Sequence, residues 1–200
     1  SWTVSGTSAK IVVGDGTNAC NFIVPSNYVV TSSNIEVSNA GKITRTSSAV
    51  NPFIVSGTFN ILAGGTYVHN YANETLPFII WASTANLNID ENLADDEFTE
   101  SFGNVNINGN STVRMMTTTG NSSNTIQGNL TINSGAEYRI GSTTHIAGNI
   151  INNGALQSTA TTFALQSFLN GVVQPATQAQ TISGNGVFRN AATAATSTAN

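Results

Sequence analysis

The sequence predicts an all-β fold, a right-handed parallel β-helix (β-solenoid) in a single stack of coils, on three observations. Long helical patterns are nearly absent, because Gly, Asn, Thr and Ser interrupt the chain every few residues. The apolar segments are short and rich in β-branched and aromatic residues. A phrase alternating Asn or Thr with apolar residues also recurs: "GTFNILAGG" at Gly57 to Gly65, "GNVNINGN" at Gly103 to Asn110, "GNLTINSG" at Gly128 to Gly135 and "GNIINNG" at Gly148 to Gly154.

Taken in order, Ile11 to Val13, Phe22 to Val24, Tyr28 to Val30, Phe53 to Val55 and Phe78 to Trp81 read as strands of a few residues between turns. Aligning the repeated phrases on their first inward apolar residue gives Ile35, Phe59, Leu87, Val105, Leu130 and Ile150, with steps of 24, 28, 18, 25 and 20 residues. One coil of a β-solenoid consumes such lengths, and turns between strands accept insertions. Gly41, Gly64, Gly109, Gly135 and Gly154 follow the phrases and mark corners, where the chain must turn.

In Asn104-Val105-Asn106-Ile107-Asn108 the period is two, so Val105 and Ile107 share the core face and the asparagines the other. Asparagine there can hydrogen-bond its equivalent one coil away. An antiparallel β-sandwich also gives short alternating strands; the recurrence of the phrase itself favours the solenoid, with roughly seven to nine coils for this length. "TFALQSFLNG" at Thr162 to Gly171 reads as a short helix or as a strand with a turn. Residues 1–200 form one β-solenoid domain, expected to be a segment of a longer surface protein, and 190–200, "NAATAATSTAN", read as a frayed last coil or a linker.

Composition narrows the function. Charged residues make up only 8% of the chain, against roughly 25% in ordinary soluble domains, while Asn, Thr and Ser together exceed a third. A net charge of −4 and six scattered basic residues offer no stripe for a phosphate backbone, so nucleic acid is not an expected partner. No apolar run reaches the ~18 residues of a membrane helix, so membrane insertion by this segment is not expected. The single cysteine, Cys20, has no partner at zinc spacing and reads as a small buried apolar residue.

From Trp81 onward, "WASTANLNIDENLADDEFTESFGNVNIN" resembles a segment of large secreted surface proteins of the Bacteroidetes, in which "GSTLNITG" is followed by a variable stretch and "QSFGN". The matching residues are Ser83, Thr84, Leu87, Asn88, Ile89 and Ser101-Phe102-Gly103-Asn104, and "GNLTINSGAEYRI" and "QTISGNGVFRN" look like coil repeats of the same proteins. The resemblance covers about two thirds of the chain and implies export by the type 9 secretion system, contact with that machinery, an extracellular or cell-surface location and, in some members, adhesion during gliding. Two features depart from the pattern: the variable stretch is acidic, and no secretion-type carboxyl-terminal domain is visible.

That stretch, "IDENLADDEFTE", holds Asp90, Glu91, Asp95, Asp96, Glu97 and Glu100. It reads as a solvated acidic loop or, because crowded carboxylates repel until a hard cation joins them, as a calcium site on Asp90, Glu91, Asp95, Asp96 and Glu97; it lacks the EF-hand and nonapeptide spacings. No other cofactor is implied. Tyr67, His69 and Tyr71 alternate in "TYVHNYANE" and, with Trp81 near in sequence, form either a glycan-contact patch or a core layer. Parallel β-helices also host polysaccharide lyases and hydrolases, whose base here would be Arg114 or Arg139. His69 and His145 are far apart in sequence and no HExxH, GxSxG or P-loop string is present, so no catalytic residue is assigned and enzyme activity is not expected. Thr44-x-Thr46, Thr117 to Thr119 and Thr143-Thr144 do not recur at a fixed offset, as a flat ice-binding array requires. The expected function is a rigid extracellular rod that displays loops to a polysaccharide or cell-surface ligand, with a polysaccharide-degrading β-helix as the alternative.

Overall fold

Strand and turn alternate through the described chain, and the strands stack in parallel. The computed structural model describes residues 1–46, 52–93, 96–97, 100–109, 111–116, 124–140, 144–158, 181–190 and 193–198, with no helix among them. The first passes of the chain supply β1 (Trp2–Val4), β2 (Lys10–Val13) and β3 (Cys20–Val24), then β4 (Val30–Ser32), β5 (Asn34–Val37) and β6 (Gly41–Arg45), then β7 (Phe53–Val55), β8 (Phe59–Ile61) and β9 (Thr66–His69). Next come β10 (Ile80–Trp81), β11 (Asn86–Ile89) and β12 (Asp96–Glu97), then β13 (Ser101–Phe102), β14 (Asn104–Ile107) and β15 (Thr112–Met116). The last passes give β16 (Asn124–Ile126), β17 (Leu130–Ile132), β18 (Glu137–Ile140), β19 (Thr144–Ile146), β20 (Ile150–Asn152), β21 (Ala155–Ser158), β22 (Ile182–Ser183), β23 (Val187–Asn190) and β24 (Thr193–Thr198).

These strands form the parallel β-solenoid that the repeats predict. A long eight-stranded sheet runs β3-β6-β9-β11-β14-β17-β20-β22, flanked by the sheets β1-β4-β7, β2-β5-β8-β10, β13-β16-β19 and β12-β15-β18-β21-β23-β24. Among the described residues every ladder is parallel except β23 with β24, where the chain folds back antiparallel. Period-two alternation places one side chain in two inside. Phe22, Ile43, Tyr67, Leu87, Val105, Leu130, Ile150 and Ile182 therefore stack in one interior column of the long sheet. Leu87, Val105, Leu130 and Ile150 are fully buried, each contributing about 1.5–3 kcal/mol of burial.

The register corrects two residues of the sequence alignment. Ile35 and Phe59 do pair with one another, but on the neighbouring sheet, in β5 and β8. The residues level with Leu87 are Tyr67 and, one coil earlier, Ile43. The long 28-residue step from Phe59 to Leu87 thus crosses from one sheet to the next. Two other expectations also shift: Tyr28 stands outside β4 and is exposed, and Cys20, on the edge strand β3, is exposed instead of buried. Thr162 to Gly171 lie outside the described residues.

Tight turns feed the long sheet. Gly41, Gly65, Ala85 and Ala136 each donate a backbone N–H to the carbonyl three residues earlier, at 2.9–3.0 Å. The residue before the donor has φ of 74° at Gly64 and 84° at Gly135, where glycine adopts the left-handed conformation freely. Ala40 takes the same place with φ of 60°, at a cost of about 1–2 kcal/mol for its Cβ.

Candidate functional site

Two polar arrangements stand out, one on the outer face of the long sheet and one in its core. Outside, side-chain amides bond from coil to coil: Asn104 Nδ2 donates to Asn86 Oδ1 at 3.1 Å, Asn106 to Asn88 at 2.9 Å, Asn108 to Asp90 Oδ1 at 2.8 Å and Asn133 to Asn108 at 2.6 Å. At the strand entrances the amide oxygens cap the next coil's backbone. Asn104 Oδ1 accepts the Asn129 N–H at 2.9 Å, Asn129 that of Asn149 at 2.8 Å, and Asn149 that of Thr181 at 3.0 Å. The glycines before Asn129 and Asn149 make room for this oxygen: a Cβ on Gly128 would lie 2.2 Å from Asn104 Oδ1, and one on Gly148 2.6 Å from Asn129 Oδ1. The recurring Gly-Asn pair is therefore one device, an oxygen and the space it needs. Each such bond adds about 0.5–1.5 kcal/mol and fixes a side chain that would otherwise be free.

Inside, a second interior column reads Val24, Arg45, His69, Ile89, Ile107, Ile132 and Asn152. Arg45 is only 1% exposed. Its Nη1 donates to the Thr75 carbonyl at 2.7 Å, and its Nη2 lies 3.7 Å from Glu74 Oε2. These contacts offset part of the cost of burying a guanidinium. Nearby, Trp81 Nε1 donates to Glu100 Oε2 at 3.0 Å. Tyr67 packs edge-on against Phe59 and Trp81, with ring centroids 6.2 and 6.3 Å away.

No hydrogen bond of standard geometry reaches either ring nitrogen of His69 or the Tyr67 hydroxyl, although the Tyr71 backbone lies close to the His69 ring and the Arg45 guanidinium close to Tyr67. Burial pushes the Tyr67 hydroxyl above its ordinary range, against the opposing charge of Arg45. Burial and then the Arg45 charge hold the His69 imidazole down at about 4, the Tyr71 backbone opposing them, so His69 is neutral at pH 7.

The structure separates the expected site residues. Tyr67 and His69 point into the core and are fully buried, and Trp81 is buried with them. Tyr71 is half-buried in the segment after β9. The arrangement is thus the core layer and not an exposed stacking patch, because the parity of β9 turns Tyr67 and His69 inward. Of the acidic stretch, Asp90 accepts the Asn108 amide and Glu91 is exposed. Asp96 and Glu97 place their backbones in β12, level with Met115 and Met116, and Asp95 lies outside the described residues. Among the described residues no three His, Cys, Asp or Glu side chains converge as metal ligands.

Arg139 Nε donates to Glu137 Oε1 at 2.5 Å on the surface of β18. Arg114 pairs with Arg139 through the backbone, and His145 lies in β19 beside Thr125. Sequence reading missed the roles of Arg45, Glu74 and Glu100. The signal was the alternation Gly41-x-Ile43-x-Arg45, which puts a guanidinium at inward parity.

A groove of about 240 Å³ opens beside β7 and β8, lined by Phe53, Val55, Phe59, Pro77, Phe78 and Ile80 among others. Phe78 is 71% exposed. Compared with known proteins, the chain matches no family model, no curated protein and no solved structure.

Proposed function

We propose that the chain is a structural and adhesive segment of a bacterial surface or secreted protein, a stiff rod that presents its loops and sparsely charged, amide-rich outer faces to a glycan or other surface ligand. The observation that carries this reading is the long parallel sheet, locked from coil to coil by backbone ladders and by the asparagine side chains. Parallel stacking makes each coil contact chiefly its neighbours, so length is gained without a new core. Preorganised amides lose little freedom when they meet a ligand. The resemblance of Trp81 to Asn108 and of the later coil phrases to Bacteroidetes surface proteins supports an extracellular place and export by type 9 secretion.

Retention on a panel of immobilised polysaccharides, with calcium and with a chelator, tests the reading while the same mixtures are assayed for chain cleavage. Retention without cleavage is the expected result, and its loss in chelator would show that calcium takes part and point to the acidic stretch Asp90 to Glu100 as the place to test by substitution. New chain ends would replace adhesion with a lyase or hydrolase. Neither retention nor cleavage would leave a spacer.

A further inference from the structure

Between β9 and β10 the chain crosses one face of the stack without forming a strand. Residues 70–79 meet the following coil through an isolated bridge, Glu74 with Leu93, and through the Asn73 N–H on the Asn92 carbonyl at 2.7 Å. Pro77, which has no N–H to give a ladder, lies within this segment. Two things hold the segment inward: Leu76 and Ile79 are buried in the core, and Arg45 of β6 reaches across to the Thr75 carbonyl and the Glu74 carboxylate. The strap's side-chain latch to β6 is thus one buried cation, beside its apolar anchors. Directly level with that cation, on the adjacent strand, stands His69, fully buried, with no hydrogen bond of standard geometry to either ring nitrogen and only the Tyr71 backbone nearby to favour a proton.

We propose that residues 70–79 are an acid-released strap, in which protonation of His69 sets a second cation against Arg45 and breaks Arg45's hold on Glu74 and Thr75. Around His69 only the Tyr71 backbone favours the protonated ring, and it does not outweigh burial and Arg45. On β6 its neighbour is Arg45, on β11 it is the apolar Ile89, and on its own strand Tyr67 stays neutral. In the strap, Glu74 faces Arg45, and Glu100 is engaged by the Trp81 indole. An imidazolium here has no carboxylate of its own, and moving the strap is the way to admit water. The imidazole's depressed proton affinity, from burial and from Arg45, sets the switch in the acid range and leaves the latch closed at neutral pH. Release uncovers apolar surface now held under Leu76 and Ile79, next to the groove of Phe53, Phe59 and Phe78.

Residue-resolved amide exchange on the 200-residue chain tests this, run from about pH 7 down to about pH 4 and corrected for the intrinsic pH dependence of exchange. Protection at Asn70 and Asn73 is expected to fall about a hundred-fold more than at Val105 or Leu130. In His69→Leu that excess disappears. In Glu74→Gln it persists, since the amide oxygen still faces Arg45 and does not titrate. The His69 ring resonances of the unaltered protein, followed by NMR through the same range, keep the proposal decidable should His69→Leu fail to fold. Ring protonation in step with strap exposure is expected. Protonation with the strap still protected, equal loss in His69→Leu, or loss spread evenly along the long sheet would overturn the proposal.

Discussion

At Gly128 the space for a side chain is already occupied by an atom of the coil below. Asn104 Oδ1, only 2.2 Å from where a Cβ would stand, is held in place by the Asn129 N–H, and Asn104 Nδ2 by Asn86. Gly128→Ala must therefore expel the amide and break the backbone cap, which predicts a loss of about 1–3 kcal/mol in urea unfolding. The cost should couple to its cause. Asn104→Ala alone loses about 1 kcal/mol, and the double variant Gly128→Ala/Asn104→Ala is expected to be more stable than the sum of the single losses by about 1 kcal/mol. Additive losses would show that the glycine serves the backbone and not the oxygen. That asparagines bond across coils was legible in the alternation. That the preceding glycine belongs to the same device was not, because the contact joins residues 24 apart in sequence.

At the scale of the strand, β9 shows both the reach and the limit of pattern reading. Tyr67 and His69 share a face, as their spacing requires, yet parity alone leaves open which face is the core. The register decides it, since Tyr67 falls level with Ile43 and Leu87. The same limit explains why Ile35 and Phe59 aligned with the wrong sheet: successive faces of a coil use the same alternation and the same turns. Burying His69 has a measurable consequence. Its folded-state proton affinity corresponds to about 4, against about 6.5 for a free imidazole. The unfolded chain therefore takes up the proton first as pH falls. The stability that neutral His69 confers is complete above about pH 6.5 and declines as pH falls through about 4, below which both states are protonated, by about 3 kcal/mol in all. Unfolding free energies measured across that window should fall by this amount more in the unaltered protein than in His69→Leu. An identical slope in the two would mean that His69 is protonated in the core without penalty.

Over the whole molecule, stability is distributed along the stack. The two interior columns of the long sheet consist of residues far apart in sequence, but each touches chiefly the coil above and below it. Fold class was readable because the phrase repeats, and so was the inward face of the Asn104 to Asn108 strand. The Arg45 contact with Glu74 and the Glu100 contact with Trp81 were not, because each occurs once and forms only after the coils have stacked. A stack of this kind should report damage locally. Leu87, fully buried between Tyr67 and Val105, is the test position. Leu87→Ala removes its side chain from a closely packed column and is expected to cost about 2–5 kcal/mol. The loss should appear in amide exchange at β9, β11 and β14 first, with Ile35, Leu130 and Ile150 keeping most of their protection, since those coils retain their own neighbours. Uniform loss of protection from β2 to β20 would mean instead that the coils unfold as one cooperative body, and a rod of independent segments would no longer describe the molecule.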